Sequence, residues 1–262
     1  MSNIRTAAQW VSEAQSVVVL SGAGMSAQSG VPTFRDAQTG LWQRYAPEQL
    51  ATEEAFRDNP AMVWTWYVWR AMLVNSVAPN AGHQAIGSWQ EHLLAYGGSL
   101  TVATQNVDNL HERGGASEVL HLHGSLQNYR CIDCGRSAAF DPASSGMRAD
   151  KTFDEDQALE PVACTYCAVG MLRPGVVWFG ETLPQDAFHA AVDALHEADL
   201  VVVVGTSGLV QPAASLPSIG RDAGAKIIEI NPVPTELSEV ADLHFAATAA
   251  VILPDMLSDV VS

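Results

Sequence analysis

Four cysteines arranged in two pairs constrain the fold of this chain of 262 residues more than any other feature of its sequence. Two residues separate Cys131 from Cys134 and Cys164 from Cys167, and residues 135–163, 29 in all, separate the pairs. Two such pairs can complete the tetrahedral thiolate site of structural zinc. The alternatives are disulfides, which the cytoplasm disfavours, and a redox dithiol, which needs only one pair. We therefore predict one structural zinc ion, bound by all four cysteines.

Short apolar runs, most of them separated by helix-like stretches, are typical of strands buried on both faces. These runs cover residues 16–20, 100–103, 175–179, 200–204 and 226–230. Strands that alternate with helices indicate a parallel, doubly wound sheet. We therefore predict an α/β fold with a Rossmann-like parallel sheet, which begins after a short helix over residues 4–14.

Two segments interrupt this alternation and predict a second, smaller domain. Residues 37–74 hold a helix that begins at Asn59 and Pro60, because asparagine can cap a helix and proline suits its first turn. Residues 127–172 carry the cysteines. We predict a large domain from residues 1–36, 75–126 and 173–262. In the small domain, a zinc-ribbon module, 127–172, joins a helical insert, 37–74.

Charge and hydropathy exclude several classes of protein. The chain has 29 acidic against 13 basic residues, a net charge of −16, which argues against a nucleic-acid partner. No apolar run approaches the roughly 18 residues that a membrane span needs, and no secretory signal is recognisable. We expect a cytoplasmic protein, a monomer, with no direct nucleic-acid or membrane partner.

A glycine-rich turn after the first apolar run is a candidate phosphate-binding loop. Residues 22–27 fit Gly-x-Gly-x-x-Ala, in which the backbone approaches a pyrophosphate at the N-terminus of the following helix. A plain turn between strand and helix is the alternative. Residues 205–208, after the fourth run, are a second candidate loop, and Asn231, after the fifth, could bind an adenosine ribose. All three positions would lie at the carboxyl ends of parallel strands, where open α/β sheets bind ligands.

In their order along the chain, these motifs resemble those of the sirtuin family of NAD-dependent protein deacylases. Residues 22–35 resemble the first family signature, residues 104–111 the second, and residues 123–125 the third. The two cysteine pairs, the segment 175–180, the second glycine turn and Asn231 follow in family order. The resemblance spans nearly the whole chain and implies a cleft between two domains that holds NAD and an acyl-lysine.

The resemblance also implies roles for individual residues. His123 would be the base that activates a ribose hydroxyl, since an imidazole is partly neutral at cellular pH. Asn106 and Asp108 would be the other catalytic residues, polar and anionic groups beside the positive charge that develops on the ribose. His111 would be structural. The NAD-binding residues would be Gly22, Ala23, Gly24, Ser26, Pro32, Thr33, Phe34, Arg35, Trp42, Gln105, Asn106, Val107, Asp108, Gly205, Thr206, Ser207, Asn231, Pro232, Val233 and Ala249.

The acyl specificity is predicted from Tyr67 and Arg70, which are three positions apart and therefore neighbours on one helix face. A guanidinium beside a phenol can bind both oxygens of a carboxylate. The pair resembles the Tyr-x-x-Arg of sirtuins that prefer succinyl, malonyl or glutaryl lysine; core packing of an aromatic helix is the alternative. An extended substrate would add as a strand along Val176, Val177, Trp178, Phe179 and Gly180.

We therefore expect a deacylase that removes succinyl or malonyl groups, and also acetyl groups, from lysines of partner proteins, and releases nicotinamide and O-acyl-ADP-ribose. Two alternatives are an NAD-dependent mono-ADP-ribosyltransferase and a non-catalytic zinc-ribbon or NAD-sensing module. A dehydrogenase is disfavoured because it would usually carry, about 20 residues after the glycine turn, a strand that ends in an acidic residue. Residues 41–48 follow no such strand.

Overall fold

The computed structural model describes residues 2–32, 50–148, 158–258 and 260. Its helices are α1 Ser2–Glu13, α2 Glu53–Asp58, α3 Pro60–Ser76, α4 Ala81–Ala95, α5 Leu110–Arg113, α6 Gln185–His196, α7 Leu216–Asp222 and α8 Ala249–Leu257. Its strands are β1 Ser16–Ser21, β2 Ser99–Thr104, β3 Val119–His121, β4 Gly124–Cys131, β5 Ser137–Ala138, β6 Leu172–Val176, β7 Leu200–Val204, β8 Lys226–Ile230 and β9 Leu243–Phe245. Among these, no helix is long and apolar enough to cross a membrane.

The larger sheet has six parallel strands in the order β3-β2-β1-β7-β8-β9. Successive residues of a strand point to opposite faces. Accordingly, Val17 and Val19 pack with α1, α4 and α8, whereas Val18 and Leu20 pack with α6 and α7. Helices on both faces explain the continuous apolar runs. The predicted parallel sheet and its strands near residues 16–20, 100–103, 200–204 and 226–230 are confirmed.

The prediction that residues 175–179 form a strand of the parallel sheet is wrong. β6 ends at Val176 and pairs antiparallel with β4 in a second sheet, of order β5-β4-β6. Its apolar character arises because Val176 and Trp178 are buried in a separate cluster with Trp64 and Tyr67 of α3. Because other elements bury this segment, its composition resembles that of a strand covered on both faces.

The predicted start of the helix at Asn59 and Pro60 is confirmed. The Asn59 side chain accepts a hydrogen bond of 3.2 Å from the Met62 amide, and Pro60 occupies the first helical position. This cap fixes where α3 begins, and hence which residues point towards the second sheet. Trp64, on the face that packs there, lies edge-on to Tyr129 of β4. The domain boundaries stay a prediction.

Candidate active site

A cavity of about 920 Å³ opens where the carboxyl ends of β1, β2, β7 and β8 face α3 and the segment after β6. The site residues predicted from the sequence that line it are Gly22, Ala23, Gly24, Ser26, Pro32, Tyr67, Arg70, Gln105, Asn106, Val107, Asp108, His123, Val176, Val177, Trp178, Phe179, Gly180, Gly205, Thr206, Ser207, Asn231, Pro232 and Val233. Ala249 is not on the wall, although its neighbour Thr248 is. Thr33, Phe34, Arg35 and Trp42 lie outside the described residues.

The two glycine turns contact each other through their backbones at one end of the cavity. The Gly24 amide donates to the Gly205 carbonyl at 2.8 Å, and the Gly22 amide donates to Val204 at 2.9 Å. A Cβ at Gly24 would lie 2.7 Å from the Gly205 Cα, a distance too short for any side chain. Glycine is therefore required here for the close approach of the two turns.

After the first glycine turn, the sequence predicts a rigid, polar loop over residues 28–36 and not the helix that usually follows Gly-x-Gly-x-x-Ala. In the structure, two short 3₁₀ turns, Ala23–Met25 and Ala27–Ser29, follow Gly22. The second ends at Gly30, whose φ of 93° is left-handed and stops a right-handed helix. The backbone amides in this stretch are therefore presented by tight turns rather than by a long helix.

Asn106 and Asp108 follow β2 and are held by Ser26 from the first glycine turn. The Ser26 hydroxyl donates to Asp108 Oδ2 at 2.9 Å and accepts from Asn106 Nδ2 at 3.2 Å. All three residues are buried. Burial raises the pKa of Asp108, although the hydrogen bonds from the Leu110 amide and Ser26 oppose this shift. One serine therefore fixes both side chains against the cavity.

His123 lies just before β4, and its ring is oriented by one backbone carbonyl. His123 Nδ1 lies 3.1 Å from the Gln105 oxygen. A carbonyl only accepts, so Nδ1 carries the proton and Nε2 keeps a lone pair. Burial lowers the pKa of His123, against the effect of this hydrogen bond. The geometry thus favours a neutral imidazole with Nε2 as its basic atom.

The neighbouring histidines have different surroundings. His121 is bonded on both nitrogens to acceptors, the Asn106 carbonyl and Glu112 Oε1, at 3.3 and 2.6 Å. Burial opposes its protonation, but the hydrogen bond and charge of Glu112 raise its pKa overall. His111 is buried, with Nε2 at 2.9 Å from the Ser21 hydroxyl, and burial holds its pKa well below 6.5. Both are therefore tied into the loops around the cavity.

Tyr67 and Arg70 project from α3 into the same cavity. Tyr67 is buried, and its hydroxyl accepts a hydrogen bond of 2.9 Å from Trp178 Nε1. Burial raises the pKa of Tyr67 to about 12, so the phenol stays protonated and can donate. The Arg70 guanidinium lies 5.2 Å from the centre of the Trp66 ring. A cation and a phenol donor thus meet at one wall.

The segment after β6 is already bonded within the chain. The amides of Val177, Trp178 and Phe179 donate to the His123 carbonyl, Glu181 Oε2 and the Ala51 carbonyl, at 2.8, 2.8 and 2.9 Å. A substrate strand could not accept from these amides without displacing those bonds. Gly180 has a left-handed φ of 85°, and a Cβ added there would have no other atom within 4 Å.

The four cysteine sulfurs converge at the end of the second sheet far from His123. All lie within 4.8 Å of one another, with 3.6 Å between Cys131 and Cys167 and 3.8 Å between Cys134 and Cys164. Four sulfurs around a tetrahedral zinc, each about 2.3 Å from the metal, lie about 3.8 Å apart. A Cβ at Gly170 would lie 2.3 Å from the Cys131 sulfur, so only glycine fits there. The donors and their spacing fit one structural zinc ion.

The sequence was compared with known families and proteins. The profile described as the Sir2 family matches residues 22–212. This chain belongs to the Sir2 family. Two Sir2 relatives are named NAD-dependent protein deacylase: one from Corynebacterium glutamicum, 45% identical over 97% of this chain and 95% of its own length, and one from Pseudomonas putida, 44% identical over 98% and 94%.

Solved Sir2 structures share the fold along nearly the whole chain. A Sir2 homologue in complex with NAD has a TM-score of 0.85 and 40% identity, covering 98% of this chain and 95% of that one. A mutant Sir2 homologue in complex with ADP-ribose has a TM-score of 0.84 and 41% identity, covering 97% and 95%. The family resemblance and the fold class inferred from the motifs are confirmed.

Several cavity residues of this Sir2 chain were not predicted from the sequence. Some lie inside a predicted motif or close to a predicted residue, so position alone could have suggested them: Ala27, Val31, Glu181, Thr182, Leu183, Val210, Gln211, Pro212 and Thr248. Others come from separate elements and carry no motif: Ala51, Gln185, Phe188 and His189. The latter line the cavity because α6 and the residues before α2 pack beside it, which no local sequence pattern indicates.

Proposed function

We propose that this chain is an NAD-dependent protein-lysine deacylase that removes succinyl and malonyl groups, and also acetyl groups. Its products would be the free lysine, nicotinamide and O-acyl-ADP-ribose. The observation that carries this proposal is the position of Tyr67 and Arg70 in one cavity with His123 and both glycine turns. The names of the relatives in Corynebacterium glutamicum and Pseudomonas putida support the reaction class. The partners would be acylated proteins.

The cavity fits a dinucleotide by its size and by the groups on its walls. Clefts for small ligands span about 300 to 1,000 Å³, and this one lies at the upper end of that range. The two glycine turns would hold the phosphates, and Asn231, at the end of β8, would lie beside the adenosine ribose. The Asn231 side chain donates from Nδ2 to the Thr206 carbonyl at 2.8 Å and so connects these two segments. When bound, NAD supplies the ribose carbon to which the acyl oxygen bonds as nicotinamide leaves.

Asp108, Asn106 and His123 would then act on the ribose: the first two on its positive charge and the third on the proton of a hydroxyl. The Asp108 carboxylate and the Asn106 amide, both fixed by Ser26, would stabilise positive charge without needing to reorient. His123 Nε2 would accept the proton of a ribose hydroxyl, because Nδ1 is committed to the Gln105 carbonyl. The Gln105 contact therefore selects the tautomer that the base needs.

Acyl selection would fall to α3. The Arg70 guanidinium and the Tyr67 hydroxyl would each donate to the terminal carboxylate of a succinyl or malonyl group. Hydrogen bonds between such charged partners are about twice as strong as neutral ones. An acetyl group has no carboxylate, so it would enter the cavity without these two contacts and turn over more slowly.

The reaction is tested with matched acetyl-lysine and succinyl-lysine peptides, the zinc-loaded protein, and mass spectrometry with and without NAD. We expect free lysine only with NAD, faster from the succinyl peptide, and an equal amount of O-acyl-ADP-ribose. Faster loss of acetyl would reject the carboxylate contacts but keep the reaction. Loss of neither group would reject the deacylase proposal, and ADP-ribose on a protein acceptor would then indicate mono-ADP-ribosyl transfer.

The carboxylate contacts are tested with Arg70→Met, which keeps an unbranched stem but removes the charge and the hydrogen-bond donors. We expect kcat/KM for succinyl-lysine to fall about tenfold or more relative to that for acetyl-lysine. Arg5→Met, on the exposed side of α1, is the matched control and should leave both values unchanged. An equal loss for both peptides would contradict the assigned role of Arg70.

A further inference from the structure

Within the proposed deacylase, we infer that Trp178 is a specificity-determining positioning residue that acts through Tyr67. Its indole N–H would occupy one lone-pair direction of the Tyr67 oxygen and so direct the hydroxyl proton into the cavity, towards an acyl carboxylate. The Trp178 side chain would thus contribute to the choice between acyl groups, independently of any contact that the Trp178 backbone makes with the substrate. This inference rests on the proposed function.

The contact between the two side chains is buried and directional. Trp178 is 1% exposed and Tyr67 is 4% exposed, so the hydrogen bond between them is shielded from bulk solvent. An indole N–H only donates, and therefore the Tyr67 oxygen, 2.9 Å away, is the acceptor. The proton of the phenol must then point in the remaining direction. In the proposed arrangement this direction leads into the cavity, which both Tyr67 and Arg70 line.

Trp178 is itself held by an ion pair between Arg173, which is buried, and Glu181, which is half-buried. The Arg173 guanidinium, 2% exposed, lies 3.3 Å from the centre of the Trp178 ring. Arg173 binds both oxygens of Glu181, and Glu181 Oε2 also accepts the Trp178 amide at 2.8 Å. Arg173 further donates to the Val176 carbonyl at 2.8 Å. The ring and its backbone are therefore held from two sides before any ligand arrives.

The chemical consequence is a preference for a ligand that brings an acceptor. The contact with Trp178 occupies a lone pair of the Tyr67 oxygen but gives the hydroxyl proton no acceptor. A carboxylate would accept this proton, whereas the methyl group of an acetyl-lysine could not and would displace water from it. An unsatisfied donor in such a site costs more than an equivalent hydrogen bond gains. Fixing the hydroxyl therefore raises the discrimination against acetyl-lysine.

The test is a double-mutant cycle of Trp178→Phe and Tyr67→Phe, with kcat and KM measured on both peptides. In the wild-type background, Trp178→Phe should raise KM for the succinyl peptide and lower the succinyl-to-acetyl ratio of kcat/KM about fivefold to tenfold. In the Tyr67→Phe background, Trp178→Phe should leave that ratio unchanged. An equal change of the ratio in both backgrounds would overturn the inference.

A second measurement uses the wild-type chain and does not depend on the folding of a variant. The indole 15N–H resonance of Trp178 should shift when a succinyl-lysine peptide binds, because the polarised phenol becomes a stronger acceptor. It should shift less with the acetyl peptide. Equal shifts with both peptides would overturn the inference. Failure of the deacylase proposal looks different, since the wild-type protein would then release lysine from neither peptide.

Discussion

His123 is held at two points that belong to different parts of the molecule. Its carbonyl accepts the Val177 amide after β6, and its ring nitrogen Nδ1 bonds to the Gln105 carbonyl after β2. Because burial keeps its pKa below 6.5, the ring is neutral over a wider pH range than an exposed histidine. These two features give the proposed base a defined orientation and a defined protonation state.

The pH profile of deacylation should reflect this setting. Protonation abolishes the base, so activity falls as pH drops through the pKa of His123. Since that pKa is lowered, the midpoint of the acidic limb of kcat/KM is expected below pH 6.5. His123→Ala should abolish turnover while the thermal unfolding temperature changes little.

The matched control for this prediction is His121→Gln, two positions away. Both nitrogens of His121 already face acceptors, the Asn106 carbonyl and Glu112, and Glu112 raises the pKa of its ring, so His121 is poorly suited to act as the base. Its variant should retain far more activity than His123→Ala. Full activity in His123→Ala would contradict the assigned base.

At the scale of elements, the contact between the two glycine turns determines how the cavity closes at one end. Gly24→Ala would place a Cβ 2.7 Å from the Gly205 Cα, so the turns must separate. Overpacking of this kind costs about 1 to 3 kcal/mol of stability. We expect a lower unfolding temperature and a clear rise of KM for NAD, measured by steady-state kinetics at saturating peptide.

Gly30→Ala is the control, in the same stretch. Gly30 has a left-handed φ of 93°, but the nearest atom to a Cβ there is 3.6 Å away. The variant should lose about 1 kcal/mol of stability from backbone strain without a comparable rise of KM for NAD. If both variants raise KM equally, the loss of glycine flexibility, and not the approach of the turns, explains the effect.

The elements also show why some predictions from the sequence succeeded. The runs at 16–20, 100–103, 200–204 and 226–230 are strands covered on both faces, so continuous apolar composition reports them directly. The cap at Asn59 is a local interaction, and it was equally visible. The convergence of the four cysteines was also predictable, because each Cys-x-x-Cys pair can bind one metal ion and two pairs complete a tetrahedral site.

Other features depend on contacts between distant residues and were not visible. The run at 175–179 lies against α3, and composition alone cannot distinguish such a segment from a central strand. The stretch after Gly22 forms two 3₁₀ turns, the second of which ends at Gly30, although a helix usually follows the Gly-x-Gly-x-x-Ala motif. The engagement of the amides at 177–179 depends on His123, Glu181 and Ala51, which no local pattern connects.

At the scale of the whole molecule, β4 and β6 connect the cysteine cluster to the cavity. β4 starts directly after His123 and ends at Cys131, while β6 follows the second cysteine pair and ends at Val176. A strand of eight residues at about 3.3 Å per residue spans roughly 26 Å. A metal at one end of this sheet therefore affects the cavity through its strands, without taking part in the reaction.

Removal of zinc should accordingly reduce activity through stability. Treatment with a chelator is expected to lower the unfolding temperature, because a structural zinc site contributes folding free energy. Deacylation should fall in parallel, and added zinc should restore both. Activity that survives complete loss of the metal, quantified by elemental analysis, would contradict this coupling.

The double attachment of His123 has a consequence for motion. Since its backbone is bonded to the segment after β6 and its ring to the loop after β2, a rotation of one sheet against the other must lengthen one of the two bonds. The Val177 bond is continuous with the β4–β6 ladder, so the ring bond to Gln105 is the one expected to yield. We therefore expect the distance between Nδ1 and the Gln105 carbonyl, 3.1 Å here, to increase when the cleft opens. The His123 ring, no longer held by this bond, could then change its tautomer.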